Sequence, residues 1–186
     1  MRGIERLLAV ERSTPSMAKV LPDLPMPETV MVRLIRISVV GLGHFFEPVF
    51  RDIGLTEYSF HVLCLLLASE SGLTSPSELS ELVGTSRANM TRILDSLVAD
   101  GLATRSVESR DARRFAICIT PKGRKMAINA VPKLIGPLKR AFSGLSPDEF
   151  SMLDKLLRKA IVSFDKRALP LRAARASGQV NESTIA

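Results

Sequence analysis

The 186-residue sequence is poor in the residues from which disulfide frameworks and metal sites are built. It contains two cysteines and two histidines. Two cysteines are too few for a disulfide-stabilised secreted domain, and they fit a reducing cytoplasm, where we expect the protein to act. The histidines and cysteines are scattered rather than spaced as metal ligands are, so the sequence predicts no metal site and no cofactor.

The N-terminus lacks a long hydrophobic run, and acidic residues are outnumbered. The apolar piece 7–10 is too short for a signal peptide or a membrane span, so we expect no membrane partner. Lys and Arg number 26 against 19 Asp and Glu, which gives a formal charge of +7. This balance favours an anionic partner without indicating which polyanion.

Two short helices are predicted between residues 75 and 100. Ser75 and Glu78 form a capping box before the first helix, and Gly84 ends it. Thr85 or Ser86 can cap the second helix. That helix has apolar residues at helical spacing, which predicts a buried stripe: Met90, Ile93, Leu94, Leu97 and Val98.

The opposite face of the second helix is polar. Its side chains can bond to phosphates and base edges, and their burial would be unfavourable. We expect the following residues to contact DNA: Ser86, Arg87, Asn89, Thr91 and Arg92. The pattern is that of a helix-turn-helix whose second member is the recognition helix.

A basic hairpin is predicted directly after this helix pair. Residues 102–107 and 115–120 alternate as strands do, and the polar segment 108–114 connects them. Such a loop can follow a phosphate backbone or insert an arginine into a minor groove, and Asp111 can orient a guanidinium by a bidentate pair. We therefore expect further DNA contacts, or their support, from Arg110, Asp111, Arg113 and Arg114.

At these residues the chain resembles the MarR family of bacterial transcription regulators. The family's wing signature, Asp-x-Arg followed by Leu-Thr-x-x-Gly, is matched by Asp111 and Arg113 and then by residues 119–123, with isoleucine in place of the usual leucine. Residues 54–56 and 79–102 are also similar, and the resemblance spans roughly residues 30–164. It implies a homodimer, a palindromic operator and usually a small-molecule or redox signal.

The expected fold is mainly α with a small β wing: a winged helix-turn-helix whose terminal helices form a dimerisation domain. A long helix begins at residue 28, and Pro48 should kink or end it. Later helices begin at Pro121 and after Ser146. Their apolar stripes exceed what a small core needs, so a second copy would cover them. We divide the chain into a flexible N-terminal arm (1–27), a helical dimerisation region (28–54 and 121–169), a winged helix-turn-helix (55–120) and a disordered tail (170–186).

An effector slot is predicted where the long helix meets the next one. Two imidazoles, a phenol and a guanidinium around an apolar slot suit a small aromatic carboxylate, and the resemblance points to aromatic acids as well. The candidate residues are Arg33, Gly41, His44, Tyr58, His61 and Leu65. The alternative is that both histidines are packing residues.

Three other functions fit parts of the sequence. Oxidation of Cys64 or Cys118 would make a redox-responsive regulator, although both thiols fall in apolar segments without a cationic neighbour. A winged helix can also serve as a protein-interaction module. Cys64 follows His61 by three residues, but no orienting third group is visible, so we do not expect an enzyme. The sequence favours a repressor that binds an inverted-repeat operator in double-stranded DNA as a homodimer, and that a small aromatic acid releases.

Overall fold

The structure, a computed structural model, describes residues 3–69, 73–107 and 115–166. Residues up to Ala141 belong to one compact unit, and a second begins at Phe142. The fold is mainly helical with a small antiparallel sheet, as expected. Its elements within the described ranges are α1 (Gly3–Val20), α2 (Met26–Ile53), α3 (Glu57–Ala68), β1 (Leu73–Thr74), α4 (Pro76–Val83), α5 (Arg87–Ala99), β2 (Ala103–Val107), β3 (Phe115–Ile119), α6 (Pro121–Ala141) and α7 (Pro147–Lys166).

Residues 3–20 form helix α1, which the expectation of a flexible arm over residues 1–27 did not include. Pro15 lies inside this helix. In an isolated helix, a proline at an interior position reduces helix stability by about 3 kcal/mol. Packing against α2 offsets that cost, because Val10 is buried and the Arg33 guanidinium donates to Ser13 Oγ at 2.8 Å. Arg33 and Ser13 are 20 residues apart along the chain, so the local pattern of prolines could not reveal their contact.

The long helix α2 starts two residues before its expected position and continues through Pro48. It ends at Gly54, whose φ of 80° lies in the left-handed region that glycine adopts without strain. By length and composition α2 would also suit a membrane span. Its C-terminal turns are instead part of the protein core, since Phe46, Phe50 and Ile53 are buried there.

The core lies where α3, α4, α5 and the sheet meet. Helix α3 is capped by Thr56, whose Oγ1 accepts from the Ser59 amide at 3.0 Å. This helix is central, as its nearly uniform apolarity predicts, and it contacts α4, α5, α6 and β3. The largest fully buried side chains are Val62, Leu63, Leu66, Leu79, Met90, Leu94, Leu97 and Ile117.

The sheet has the strand order β1-β3-β2, and both pairings are antiparallel. The expected hairpin is confirmed, with Ala103 opposite Ile119 at its base. Strand β1 was not expected, because a segment of two residues shows no alternating pattern. Its backbone pairs with β3 at Cys118 and Ile117. This places β2 at an edge of the sheet.

Helix α6 begins in close contact with the turn that follows α5. Thr120 Oγ1 accepts from the Gly123 amide at 3.0 Å and donates to the Gly101 carbonyl at 2.7 Å. The Thr120 amide donates to the Leu102 carbonyl at 3.1 Å. We call residues 101–102 and 120–123 the joint. A Cβ on Gly123 would lie 2.0 Å from the Leu102 oxygen, so the joint requires glycine at this position.

The apolar stripe predicted on α6 is divided between two environments. Leu134 is buried in the core of its own chain, whereas Val131, Ile135 and Leu138 are about half exposed. Pro132 and Pro137 lie inside the helix, which continues to Ala141. The exposed members of the stripe therefore form an apolar face that the described part of this single chain leaves uncovered.

Helix α7 begins at the capping box that the sequence predicts. Ser146 Oγ accepts from the Glu149 amide at 3.3 Å, and the Ser146 amide donates to Glu149 Oε2 at 2.8 Å. The backbone hydrogen bond from Ser146 lowers the pKa of Glu149. Several apolar side chains of this helix are exposed, among them Phe150, Leu153, Leu157, Ile161 and Phe164.

We expect Gly123→Ala to destabilise the protein by roughly 1–3 kcal/mol, because the new methyl group must push the Leu102 backbone away. Gly43→Ala is the matched control: a Cβ at this helical glycine has nothing within 4 Å, so the change should be neutral or stabilising. Urea unfolding followed by circular dichroism measures both. Equal stability of the two variants would contradict the steric account of the joint.

Candidate nucleic-acid interface

The candidate interface is built on α5, whose start and orientation are fixed locally. Ser86 rather than Thr85 is the N-cap, and its Oγ accepts from the Asn89 amide at 3.2 Å. Met90 and Leu94 are 1% exposed, so the buried stripe predicted from the sequence is confirmed. Because this face is held in the core, the opposite face of α5 points away from it.

The exposed face of α5 carries three of the residues that are predicted to contact DNA. The side chains of Arg87, Thr91 and Arg92 are exposed, and Thr91 Oγ1 donates to the Arg87 carbonyl at 3.0 Å. Asn89 is half-buried, and its Nδ2 donates to Thr85 Oγ1 at 2.9 Å. Two arginines and a hydroxyl in the first turns of a helix can contact phosphates and base edges.

The wing is described only at its base. Strands β2 and β3 pair as far as Val107 and Phe115, the two residues that flank segment 108–114. The four residues predicted there lie outside the described residues, and their DNA contacts stay a prediction: Arg110, Asp111, Arg113 and Arg114.

An ion pair that the sequence did not predict links α5 to the base of the wing. The Arg105 guanidinium on β2 contacts the Asp95 carboxylate on α5. The two residues are ten positions apart and belong to different elements. No local pattern indicates their pairing, which only the packing of β2 beside α5 reveals.

The residues proposed for an effector slot are not all brought together. The Arg33 guanidinium contacts α1: one terminal nitrogen donates to Ser13 Oγ, and the other lies 3.6 Å from the Met17 sulfur. Arg33 therefore does not point toward α3. His44, Tyr58 and His61 are exposed in this single chain. Gly41 has open space beside it, and Leu65 packs against the core. The slot stays a prediction, without Arg33 as its cation.

A hollow of about 360 Å³ lies near these residues, between the end of α2 and the start of α3. Phe50 and Leu55 supply its apolar lining. Glu47 and Arg51 also line it and form an exposed ion pair of 2.7 Å. None of the six residues predicted for the slot lines this hollow. The sequence did not predict the hollow, because its lining comes from two different elements.

The two cysteines are half-buried thiols. Burial raises the pKa of Cys64, so less of this thiol is ionised at neutral pH. Since the thiolate is the form that attacks peroxides and disulfides, this shift disfavours Cys64 as a redox sensor. The described residues hold no group of three or more His, Cys, Asp and Glu side chains that could bind a metal ion.

Comparison with known proteins identifies the family. A family model described as the MarR family matches residues 55–115. The transcriptional repressor MprA of Escherichia coli K12 is 30% identical over 144 residues, which cover 77% of this chain and 82% of MprA. The chain belongs to the MarR family. It is therefore a DNA-binding transcriptional regulator, and its relatives are regulators rather than enzymes.

Solved structures of MarR regulators share the fold. The Bordetella bronchiseptica protein BpsR, whose structure was solved in work on regulation of its DNA binding by 6-hydroxynicotinic acid, is 26% identical to this chain. The match covers 70% of this chain and 97% of BpsR, with a TM-score of 0.64. A mutant MarR of Escherichia coli complexed with operator DNA is 21% identical, with a TM-score of 0.65 over 77% of this chain and 96% of that chain.

We expect peroxide to leave DNA binding by this chain unchanged, because burial raises the pKa of the Cys64 thiol and so lowers the fraction present as the reactive thiolate. Fluorescence anisotropy with a labelled duplex, before and after treatment, measures this. Cys64→Ser and Cys118→Ser serve as controls and should behave like the unsubstituted chain. Loss of binding on oxidation that Cys64→Ser prevents would restore the redox-regulator alternative.

Proposed function

We propose that this MarR protein is a cytoplasmic transcriptional repressor that binds an inverted-repeat operator as a homodimer and is released by a small aromatic carboxylate. The observation that carries the proposal is the division of α5 into a buried apolar face and an exposed face with Arg87, Thr91 and Arg92. The repressor role is supported by the transcriptional repressor MprA, which is 30% identical to this chain.

The DNA contacts are proposed to be of two kinds. Helix α5 enters a major groove, where Arg87, Thr91 and Arg92 face base edges and phosphates. Segment 108–114 enters the neighbouring minor groove, where Arg113 is the principal candidate for insertion. The MarR complex with operator DNA has the same fold as this chain, which supports placing the fold on a duplex.

The homodimer is proposed from the apolar surface of the terminal helices. In the single chain, exposed large hydrophobic residues include Val39 and Val40 on α2, Val131, Ile135 and Leu138 on α6, and Phe150, Leu157 and Phe164 on α7. Burying such side chains is favourable by about 25 cal/mol per Å², and a second copy supplies matching faces. Two recognition helices in successive major grooves would then lie roughly 34–36 Å apart.

The effector is proposed to be an aromatic acid that binds where α2 approaches α3. BpsR offers support, since 6-hydroxynicotinic acid regulates its DNA binding. His44, Tyr58 and His61 are candidates for binding the ring and carboxylate, and Arg51 beside the hollow is a cation close to them in sequence. A ligand that prefers one separation of the recognition helices changes DNA affinity by its differential binding, typically about 1–3 kcal/mol.

We expect Arg92→Ala and Arg113→Ala each to weaken operator binding by roughly tenfold or more, since a charge-assisted contact contributes about 1.5–3 kcal/mol. Arg12→Ala on α1 is the control and should bind normally. Anisotropy titrations on the upstream DNA of the protein's own gene measure affinity, and sedimentation checks that dimerisation persists. A weak dependence of binding on salt would instead favour a protein-interaction module.

We expect the double variant His44→Ala/His61→Ala to bind DNA normally but to resist release by 6-hydroxynicotinic acid, because the ring nitrogens that bind the acid are gone. Release is measured by titrating the acid into a preformed complex with DNA. Arg51→Ala is tested in parallel. Normal release from the double variant together with lost release from Arg51→Ala would assign the acid to the hollow instead.

A further inference from the structure

The ion pair between Asp95 and Arg105 occupies an unusual position for a carboxylate. Asp95 follows Arg92 by three residues and Thr91 by four, so it lies on the same face of α5 as these proposed DNA contacts. A lone carboxylate on that face would repel a phosphate backbone. Arg105 on β2 contacts it and thereby offsets its charge.

The register of the sheet explains how Arg105 reaches α5. Arg105 lies opposite Ile117 in the antiparallel pairing of β2 with β3, and residues directly opposite each other point to the same face. Ile117 is fully buried, so Arg105 leaves the strand on the core side of the sheet. Because β2 is an edge strand, this side chain can extend past the core to the surface of α5.

Stability alone is a poor reason for the pair. The side chains of Arg105 and Asp95 are 42% and 55% exposed, and ion pairs of such exposure contribute little to folding. A guanidinium has five N–H donors in a fixed planar fork, so pairing with one carboxylate is compatible with contacting a second anion. The carboxylate then holds the guanidinium in one orientation.

In the proposed binding mode, on which this inference rests, the two elements that the pair joins belong to the parts of the protein that enter the two grooves flanking one DNA strand. With α5 in a major groove and the wing in the adjacent minor groove, the sugar-phosphate strand between the grooves passes over the surface where α5 meets the base of the hairpin. We propose that Arg105 contacts a phosphate of that strand and that Asp95 is a positioning residue, which orients the Arg105 guanidinium for this contact.

Arg105→Gln and Asp95→Asn, alone and together, test the proposal. Arg105→Gln should weaken DNA binding about tenfold, which is the effect of losing one charge-assisted contact. The loss should be equal for the operator and for a scrambled duplex, because a phosphate contact does not depend on sequence. Arg105→Gln should also reduce the slope of log affinity against log salt by about one. Arg158→Gln is the matched control, since Arg158 forms an exposed pair with Asp154 on α7.

Asp95→Asn separates positioning from simple charge. Removing a negative charge near DNA should strengthen binding if Asp95 only repels phosphate, whereas loss of orientation should weaken binding roughly three- to tenfold. In the double variant Asp95→Asn should add no further loss, because the group that it orients is absent. Tighter binding by Asp95→Asn, or an unchanged salt slope in Arg105→Gln, would overturn the proposal.

Two measurements keep this test separate from other failures. If the unsubstituted chain bound no duplex, the proposed function would fail, whereas normal binding with unaffected variants would remove only the role of this pair. Thermal melting by circular dichroism checks that each variant folds. If Arg105→Gln did not fold, Arg105→Lys, which keeps the charge without the planar fork, would replace it. The proposal would then be contradicted if Arg105→Lys bound DNA with full affinity and if adding Asp95→Asn to that variant did not change the affinity.

Discussion

The packing of one face of α5 into the core determines which residues of this helix can meet another molecule. Met90, Ile93, Leu94 and Leu97 are each at most 8% exposed, and burying one such side chain stabilises the fold by about 1.5–3 kcal/mol. Any rotation of α5 about its axis would expose these side chains and bury arginines instead. The exposure of Arg87 and Arg92 is therefore a consequence of core packing.

The features that the sequence predicted correctly depend on short-range interactions. Helices α4, α5 and α7 begin after Ser75, Ser86 and Ser146, because an N-cap bonds an amide only three residues away. The buried stripe of α5 follows from helical spacing in the same way. Such signals are complete within a few residues, so they can be read without knowledge of the tertiary fold.

The features that were missed depend on partners far along the chain. Helix α1 tolerates Pro15 because it packs on α2, and β1 is a strand only because β3 pairs with it. The same reason applies within the candidate interface. Composition and periodicity identify its exposed face on α5, but they do not show that Asp95 contacts Arg105, nor that Arg33 contacts Ser13 on α1. Pairing between side chains of different elements requires the folded arrangement.

The joint ties the turn after α5 to the start of α6 through hydrogen bonds. Successive backbone hydrogen bonds run from Ser96 and Leu97 through the turn to Leu102, and Thr120 and Gly123 fasten that turn to the first turn of α6. Helix α6 has 21 residues and is about 30 Å long. Since hydrogen bonds join the first turn of α6 to the turn after α5, we expect a tilt of α6 to move the end of α5 with it.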